Sequence, residues 1–442
     1  MSRVISAEWV LPVEAPPIRE GAIAIEDGRI TAVGTRDELG PGTHYDDAVL
    51  LPGFVNAHSH IEYAVYGGFG DGLGDFAEWI TLHIQRKACI GWDEYVDIAR
   101  LGAAECLASG ITTIGDCSYS GAAAVACAEL GLRATVYLEV FGADPAPALE
   151  SFAARRERVQ SSFSDRVRPG ISPHAPYSVS LDLYRAAAEL GLPVATHISE
   201  SPAEVKYLTA GEGPWSSYSD LLVTPPLTTG TRLLAEAGLL GPDVVAAHCV
   251  MVDAEEIGLL ATTQAGVAHC PRSNGALGCG VAPLAELRDA SVRVGVGTDS
   301  PASAPSFDFF EELRNVVFAA RSRAQRPDVL SAADALELGT LGSARALGLD
   351  GELGSLAPGK RADATVVSLE GSAFSPVEDP AAAVVFGGSP ERVLATFVDG
   401  EAQYERGGME WHELTAAAHS ARRAMLAVKP SADEARVTAP HA

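Results

Sequence analysis

Residues 51–60, Leu-Pro-Gly-Phe-Val-Asn-Ala-His-Ser-His, join a short apolar segment to two histidines separated by one residue. Side chains at positions i and i+2 of a strand point to the same side, so both imidazoles can face one centre. Imidazole nitrogen binds zinc, iron and related divalent ions. On its own the spacing is a weak signal of a metal site, and surface or incidentally packed histidines remain the alternative for this segment.

Downstream of these histidines, apolar segments alternate with Ala/Leu-rich segments, which is the pattern of a parallel sheet with crossover helices. Four of the apolar segments end at a polar side chain: His197, His248, His269 or Asp299. In parallel barrels the active site lies at the carboxyl ends of the strands, so these side chains fall where chemistry is expected. The sequence predicts a (β/α)8 TIM-type barrel over 53–355, with strands at 111–114, 134–138, 194–197, 244–248, 266–269 and 292–299.

The two chain ends predict a second, smaller unit. Alternating apolar segments at 21–25 and 29–34 flank Asp27-Gly28, a strong hairpin signal. Similar segments return at 362–367 and 393–400. We therefore expect a small β-sandwich domain built from 1–52 and 356–410, followed by a C-terminal helix and tail over 411–442.

Composition excludes several classes of protein. The 442 residues are 47% hydrophobic and carry a net charge of −26, which supports a large core and argues against nucleic-acid binding. No run reaches the roughly 18 apolar residues of a membrane helix, and the first residues lack a signal-peptide pattern. We expect a cytoplasmic enzyme with a small-molecule substrate and no membrane partner. The seven cysteines include no CxxC pair, which favours reduced thiols over a disulfide framework or a zinc–thiolate site.

The strand-end residues extend the first pair of histidines into a candidate catalytic centre. Three imidazoles and one carboxylate, with one position kept for water, form a plausible ligand set for a catalytic metal. Taken singly, His197 is also explained as a core histidine and Asp299 as a helix N-cap. Glu200 lies three residues after His197, where a carboxyl can reach the substrate as a general acid/base without binding the metal. A glutamate that complements a helix dipole is the alternative for that position.

Two other kinds of chemistry have little support. The four lysines, at 87, 206, 360 and 429, do not end any predicted barrel strand, which argues against a carbamate that bridges two metals. There is no GxSxG motif, and His269 before Cys270 is better explained by packing than by nucleophilic catalysis.

With these residues in place, the chain resembles the amidohydrolase superfamily, in particular its cytosine deaminase-like branch of one-metal aminohydrolases. Seven motifs carry the resemblance in order, at 52–60, 172–177, 196–200, 247–249, 269–274, 297–300 and 356–364. The resemblance implies one divalent metal, zinc in first place with iron or manganese as alternatives, held by His58, His60, His197 and Asp299.

The resemblance also implies catalytic and substrate-binding roles. Glu200 would carry a proton to a ring nitrogen, His248 would bind the attacking water or the departing group, and Asp299 would share the proton transfer with His248. His174 and Trp79 would lie over the substrate pocket.

Within the branch, the chain is most similar to the aminodeoxyfutalosine deaminases of menaquinone biosynthesis, which implies a 6-aminopurine nucleoside as substrate. This similarity rests on Glu62, residues 74–76, Arg86, Leu138-Glu139 and residues 200–204. Glu62 and Arg86 are thereby candidate substrate-binding residues, although a loop salt bridge and a solvated charge explain them as well.

Three alternatives stay open at this point. In methylthioadenosine/S-adenosylhomocysteine deaminases a ribose-binding glutamate falls near Ala88, where this chain has no carboxylate. Guanine deaminases and chlorohydrolases of the branch share the same ligands, and a non-catalytic oligomeric relative is the remote alternative.

Homodimers are common in the branch, and glycines at 67, 68, 70, 72 and 74 motivate a lid over 62–92.

Overall fold

The computed structural model describes residues 3–69, 71–72, 76–216 and 222–428, with the backbone alone at 76–78 and 80. The strands are β1 (Arg3–Val10), β2 (Ile18–Glu26), β3 (Arg29–Thr35), β4 (Thr43–Pro52), β5 (Phe54–Ser59), β6 (Ile111–Ser118), β7 (Arg133–Val140), β8 (Val167–Pro173), β9 (Val194–Ile198), β10 (Val244–His248), β11 (Gly266–His269), β12 (Arg293–Val296), β13 (Ala364–Ser368), β14 (Val393–Val398) and β15 (Glu401–Glu405).

The α-helices are α1 (Arg36–Leu39), α2 (Phe76–Lys87), α3 (Trp92–Ala108), α4 (Ala122–Leu130), α5 (Pro145–Arg158), α6 (Leu181–Ala188), α7 (Pro202–Ala210), α8 (Gly230–Glu236), α9 (Ala254–Thr263), α10 (Pro271–Ala276), α11 (Leu284–Asp289), α12 (Phe309–Ala324), α13 (Ala332–Glu337), α14 (Ser343–Ala346), α15 (Pro380–Gly387) and α16 (Trp411–Ala427). A 3-10 helix at Ile61–Tyr66 follows β5, and a π-helix at Leu338–Gly342 joins α13 to α14.

Strands β5 to β12 form the predicted barrel, each hydrogen-bonded in parallel to its neighbours in chain order. A parallel bridge between Ser59 and Asp299 connects the first strand to the segment after the last one. Strands β10 and β11 have the predicted bounds. The predicted last strand is too long, because β12 ends at Val296 and Asp299 lies beyond it in that bridge.

Side chains of the barrel strands alternate between two environments, as a two-residue period requires. On β7, Val136, Leu138 and Val140 belong to the core between sheet and helices, whereas Tyr137 packs with Cys117 and Ala195 in the barrel interior. Residues of β7 with the parity of Tyr137 therefore face the inside of the barrel.

The small domain is one mixed sheet in the order β15-β14-β13-β4-β1-β2-β3, with strands from both chain ends. Its hairpin turns at Asp27 (φ 49°) and Gly28 (φ 76°), and Glu26 pairs with Arg29 as the Asp-Gly signal predicts. Apolar side chains from β1, β2, β4, β13 and β14 share one core, so the two halves of the sheet face each other. These strands lie within 1–52 and 356–410, while the predicted domain boundaries themselves stay a prediction.

A buried arginine joins the two units. Arg133, at the start of β7, donates from Nε to Asp363 (2.8 Å) and from Nη2 to Asp399 (2.6 Å). Arg133 and Asp363 are each only 5% exposed, so this pair is withdrawn from water. The ion pair fixes the barrel against the sheet of the small domain.

At the other end of the chain, α16 packs against α3 and the 3-10 helix, and Arg422 donates to the backbone oxygens of Val65 and Gly67. Residues 429–442 of the predicted tail lie outside the described residues. Among the helices in the described ranges, none is both long and apolar enough to cross a membrane.

Candidate metal centre and active site

The carboxyl ends of the barrel strands bring the predicted ligand residues into one buried cluster. His58 and His197 are the penultimate residues of β5 and β9, and His60 directly follows β5; one ligand atom from each lies within 4.8 Å of the others. The Nε2 atoms of His60 and His197 are 3.4 Å apart. Asp299 Oδ1 lies 3.7 Å from His60 Nε2 and 3.9 Å from His58 Nε2. The structure thus brings together the four side chains that the resemblance assigns to the metal.

The donor atoms of this cluster fit a divalent ion. His58 Nε2 is buried and has no hydrogen-bond partner in the described part of the chain, which is costly for a polar atom unless a ligand occupies it. His197 donates from Nδ1 to the carbonyl oxygen of His174 (2.7 Å), which leaves its Nε2 for a metal. Ligand atoms bonded to tetrahedral zinc at about 2.0–2.1 Å lie about 3.3 Å apart, close to the separations found here.

Two serines hold the carboxylate of Asp299. Ser273 Oγ donates to Asp299 Oδ2 at 2.7 Å, and Ser303 Oγ donates to the same oxygen at 2.8 Å. These bonds turn Oδ1 toward the histidines. Sequence reasoning did not assign a role to either serine, because a serine near a ligand carries no distinctive spacing.

The protonation states are those that metal binding requires. Burial lowers the pKa of His58 well below its usual value, and burial lowers that of His60 to about 3. Burial raises the pKa of Asp299, but His60, His248 and the Ser273 hydroxyl outweigh it and bring the pKa below the ordinary value. Neutral imidazoles and an ionised carboxylate are the forms that coordinate a metal.

Glu200 and His248 lie next to each other beside this cluster. Glu200 Oε1 is 3.7 Å from His248 Nε2, and His248 Nδ1 is 3.0 Å from the amide oxygen of Asn274, which orients the ring. Burial, reinforced by Asp299, raises the pKa of Glu200 to about 7. A carboxyl with that pKa can both give and take a proton near neutral pH.

Strained backbone accompanies these residues. Left-handed backbone conformations, which residues other than glycine rarely adopt, occur at Ser199 (φ 51°), His248 (φ 73°) and Asp299 (φ 58°). The Glu204 carboxylate accepts from the backbone N–H of Ser199 (2.8 Å) and of Glu200 (2.7 Å). Glu204 therefore stabilises the turn that aims Glu200, a role that sequence reasoning missed.

The predicted pocket residues Trp79 and His174 lie next to the metal cluster. Trp79 stacks on His83 (5.2 Å between ring centroids) and donates to the backbone oxygen of Ala302 (3.1 Å), three residues after Asp299. His83 contacts Tyr63, whose ring stacks on His60 at 5.5 Å. His174 packs on the His197 ring at 4.8 Å.

The hydrogen bonds of Glu62 and the ring contact of Arg86 are with residues outside the metal cluster. The buried Glu62 carboxylate accepts four hydrogen bonds from the segment before α4, donated by the hydroxyls of Ser118 and Ser120 and by the backbone N–H groups of Ser120 and Ala123. The Arg86 guanidinium lies 3.8 Å from the centroid of the Phe69 ring, and its Nε and Nη1 have no hydrogen-bond partner in the described ranges. Their predicted substrate contacts stay a prediction.

The lysines and cysteines singled out from sequence are not among the described residues that form the metal cluster. Lys87 lies on α2, Lys206 on α7 and Lys360 before β13; Lys429 lies outside the described residues, as do Gly70 and residues 73–75 of the predicted lid and substrate segment. All seven cysteines are unpaired, and Cys89 is the exposed one among them.

The sequence is similar to known proteins over most of its length. The sequence profile described as "Amidohydrolase family" matches residues 49–402. A 5-methylthioadenosine/S-adenosylhomocysteine deaminase of Symbiobacterium thermophilum is 33% identical over 421 residues, which cover 91% of this chain and 93% of that protein. A 5′-deoxyadenosine deaminase of Methanothermobacter thermautotrophicus is 32% identical over 90% of this chain and 92% of its own length.

Solved structures of similar proteins superpose on this chain over most of its length. The crystal structure of an adenosine deaminase from Xanthomonas campestris with bound zinc superposes with a TM-score of 0.84 at 28% identity, over 96% of this chain and 98% of that one. The guanine deaminase of E. coli superposes with a TM-score of 0.77 at 22% identity over 92% of this chain, which shows the shared fold.

Proposed function

Because the chain belongs to the amidohydrolase family, we propose that it is a hydrolytic deaminase that cleaves a C–N bond of an adenosine-type nucleoside. The observation that carries this proposal is the Glu200 carboxyl, with a pKa of about 7, beside His248 and the cluster of three histidines and Asp299. The named relatives act on adenosine-type nucleosides, which fits such an acid/base pair.

Each residue of the site has a separate role in the proposed reaction. A divalent ion held by His58, His60, His197 and Asp299 would supply a water activated at neutral pH. Protonated Glu200 gives its proton to the ring nitrogen next to the carbon that bears the amine, so negative charge does not build up on the ring. His248 orients the water and the departing group, and Asp299 accepts a proton from the water on its way to ammonia. One C–O bond forms, one C–N bond breaks, ammonia leaves, and the second proton of the water returns to Glu200.

For the substrate itself we propose aminodeoxyfutalosine, with methylthioadenosine or S-adenosylhomocysteine as the alternative. The ribose-binding glutamate of the alternative group falls near Ala88, an exposed residue directly after α2. Its neighbour Lys87 brings an ammonium close to Tyr63, beside the His60 ring. The absence of a carboxylate at Ala88 counts against the second candidate, while the relatives' names favour it.

The proposal is tested by ammonia release from aminodeoxyfutalosine, adenosine, methylthioadenosine, S-adenosylhomocysteine and guanine, each with metal-loaded protein and with protein stripped by a chelator. We expect metal-dependent release from at least one adenosine-type nucleoside. Turnover of aminodeoxyfutalosine well above the others supports the finer assignment, and a preference for methylthioadenosine or S-adenosylhomocysteine replaces it by the alternative. Release from guanine alone would contradict the proposed substrate class.

A further inference from the structure

A buried carboxylate near the metal cluster has no donor of its own. Glu139, the penultimate residue of β7, is 2% exposed, and among the described residues no hydrogen bond reaches its side-chain oxygens. A buried carboxylate normally accepts several hydrogen bonds, because leaving it unsatisfied is costly. Glu62, another buried carboxylate of this region, accepts four.

The position of Glu139 on β7 directs its side chain into the barrel interior, near the carboxyl ends of the strands. Two residues earlier, Tyr137 packs in the barrel interior against Cys117 and Ala195, so Glu139 points the same way one layer closer to the carboxyl ends. Cys117 Sγ lies 3.8 Å from His58 Nδ1, which places that layer directly beneath the ligand cluster. Glu139 therefore lies on the wall of the cavity in which the ligand histidines sit.

A lysine held by aromatic rings supplies the opposite charge. Lys87 Nζ lies 3.3 Å from the centroid of the Tyr119 ring, 5.4 Å from that of Tyr63 and 5.9 Å from that of Phe141. Burial lowers the pKa of Lys87 and raises that of Glu139, and the attraction between them opposes both shifts. Among the described residues the Lys87 ammonium makes no hydrogen bond and no ion pair, so it attracts Glu139 through space rather than by direct contact.

The same rings connect this pair to both sides of the metal cluster. Tyr63 stacks on His60 (5.5 Å), and Phe141 packs on His174 (4.9 Å), which in turn packs on His197 (4.8 Å). From the other side, Arg155 donates to the backbone oxygens of Tyr119 and Glu139, which fixes the ends of β6 and β7. Glu139 is thus part of a barrel strand, whereas Lys87 comes from the end of α2, in the segment that follows β5.

We propose that Glu139 is the residue that recognises the sugar of the substrate, by accepting hydrogen bonds from its two vicinal hydroxyls, and that Lys87 is a positioning residue whose nearby positive charge stabilises this carboxylate. The inference rests on the proposed function, since it takes the substrate to be a nucleoside. A nucleoside whose exocyclic amine lies at the metal places its sugar at the far end of the base, toward the cavity wall. Two hydroxyl donors match the two carboxylate oxygens, the pairing by which acidic side chains commonly bind ribose.

The test compares the fastest nucleoside of the substrate panel with its 2′,3′-dideoxy analogue, in wild-type protein and in Glu139→Gln. Wild type should lose about 100-fold or more in kcat/KM when the hydroxyls are removed, because a site built for a hydroxyl rejects the analogue that lacks it. Glu139→Gln should lose a similar factor on the parent nucleoside, mainly through KM, and change less than about threefold on the analogue. Lys87→Met should reproduce this pattern with a smaller factor.

The matched control is Glu105→Gln, which changes another largely buried glutamate on α3, away from the barrel mouth; it should leave both substrates unaffected. Equal kcat/KM for nucleoside and analogue in wild type would overturn the inference without any variant. A loss in Glu139→Gln that is equal on both substrates would also overturn it. If wild type released ammonia from no 6-aminopurine at all, the proposed function would fail instead, so the two failures are distinguishable.

Discussion

The two serines behind Asp299 allow the metal site to be weakened without touching a ligand. Ser273→Ala and Ser303→Ala each remove one hydrogen bond to Asp299 Oδ2, of 2.7 Å and 2.8 Å. A hydrogen bond to a charged group contributes about 1.5–3 kcal/mol, and about 1.4 kcal/mol corresponds to tenfold in affinity. Because the remaining serine still holds the same oxygen, we expect each single variant to weaken metal binding about tenfold, and the double variant about 100-fold.

Metal affinity is measured by competition between the protein and a chromophoric zinc chelator. The matched control is Ser331→Ala, which removes a hydroxyl that caps α13 by accepting from the Asp334 N–H, and it should bind zinc as wild type does. A double variant whose affinity stays within twofold of wild type would refute the reasoning that these hydroxyls orient a ligand.

Three further predictions address the acid/base group, the pH dependence and the domain junction. Glu200→Gln should keep its metal, measured by elemental analysis, and lose about 10²–10⁴-fold in kcat, because an amide cannot shuttle the proton. Burial raises the pKa of Glu105 to about 7, so its folded form loses stability as pH rises from about 4.5 to 7. Glu105→Gln should therefore raise the free energy of unfolding by about 3 kcal/mol at pH 8 and by less than about 1 kcal/mol at pH 5, and an equal gain at both pH values would contradict this assignment. Arg133→Met should lower that free energy by about 3–5 kcal/mol in denaturant titrations, because it leaves Asp363 buried without its cation. Its control, Arg100→Met at the exposed pair with Glu129, should cost less than about 1 kcal/mol.

Much of the barrel was predictable because parallel strands buried on both faces appear as short apolar runs. The bounds of β10 and β11 follow directly from such runs. Strand β8 was not among the predicted strands, since Pro169 and Gly170 interrupt its pattern, although the barrel accommodates both. The end of β12 was misplaced because Gly297 and Thr298 continue the sequence pattern past Val296, the last residue paired with β11.

The site was predictable where chemistry requires a particular residue type at a strand end, as for His58, His197 and Asp299. Side chains that act through another residue have no such signature. Glu204 lies four residues after Glu200, and in the sequence it resembles any glutamate in the first turn of a helix. The burial of Glu139 near Lys87 depends on how β7 and α2 are placed in the fold. The carboxylate of Glu62 accepts four hydrogen bonds from the protein, and its contact with the substrate stays a prediction.

The most direct test of a hydrolytic deaminase is to run the reaction in oxygen-18-labelled water with the best nucleoside of the panel. The account predicts one ammonia per product and one labelled oxygen on the ring carbon that carried the amine, with the sugar intact. Loss of the whole base, or a product whose new oxygen is unlabelled, would contradict the assignment of this site to water attack at the C–N bond.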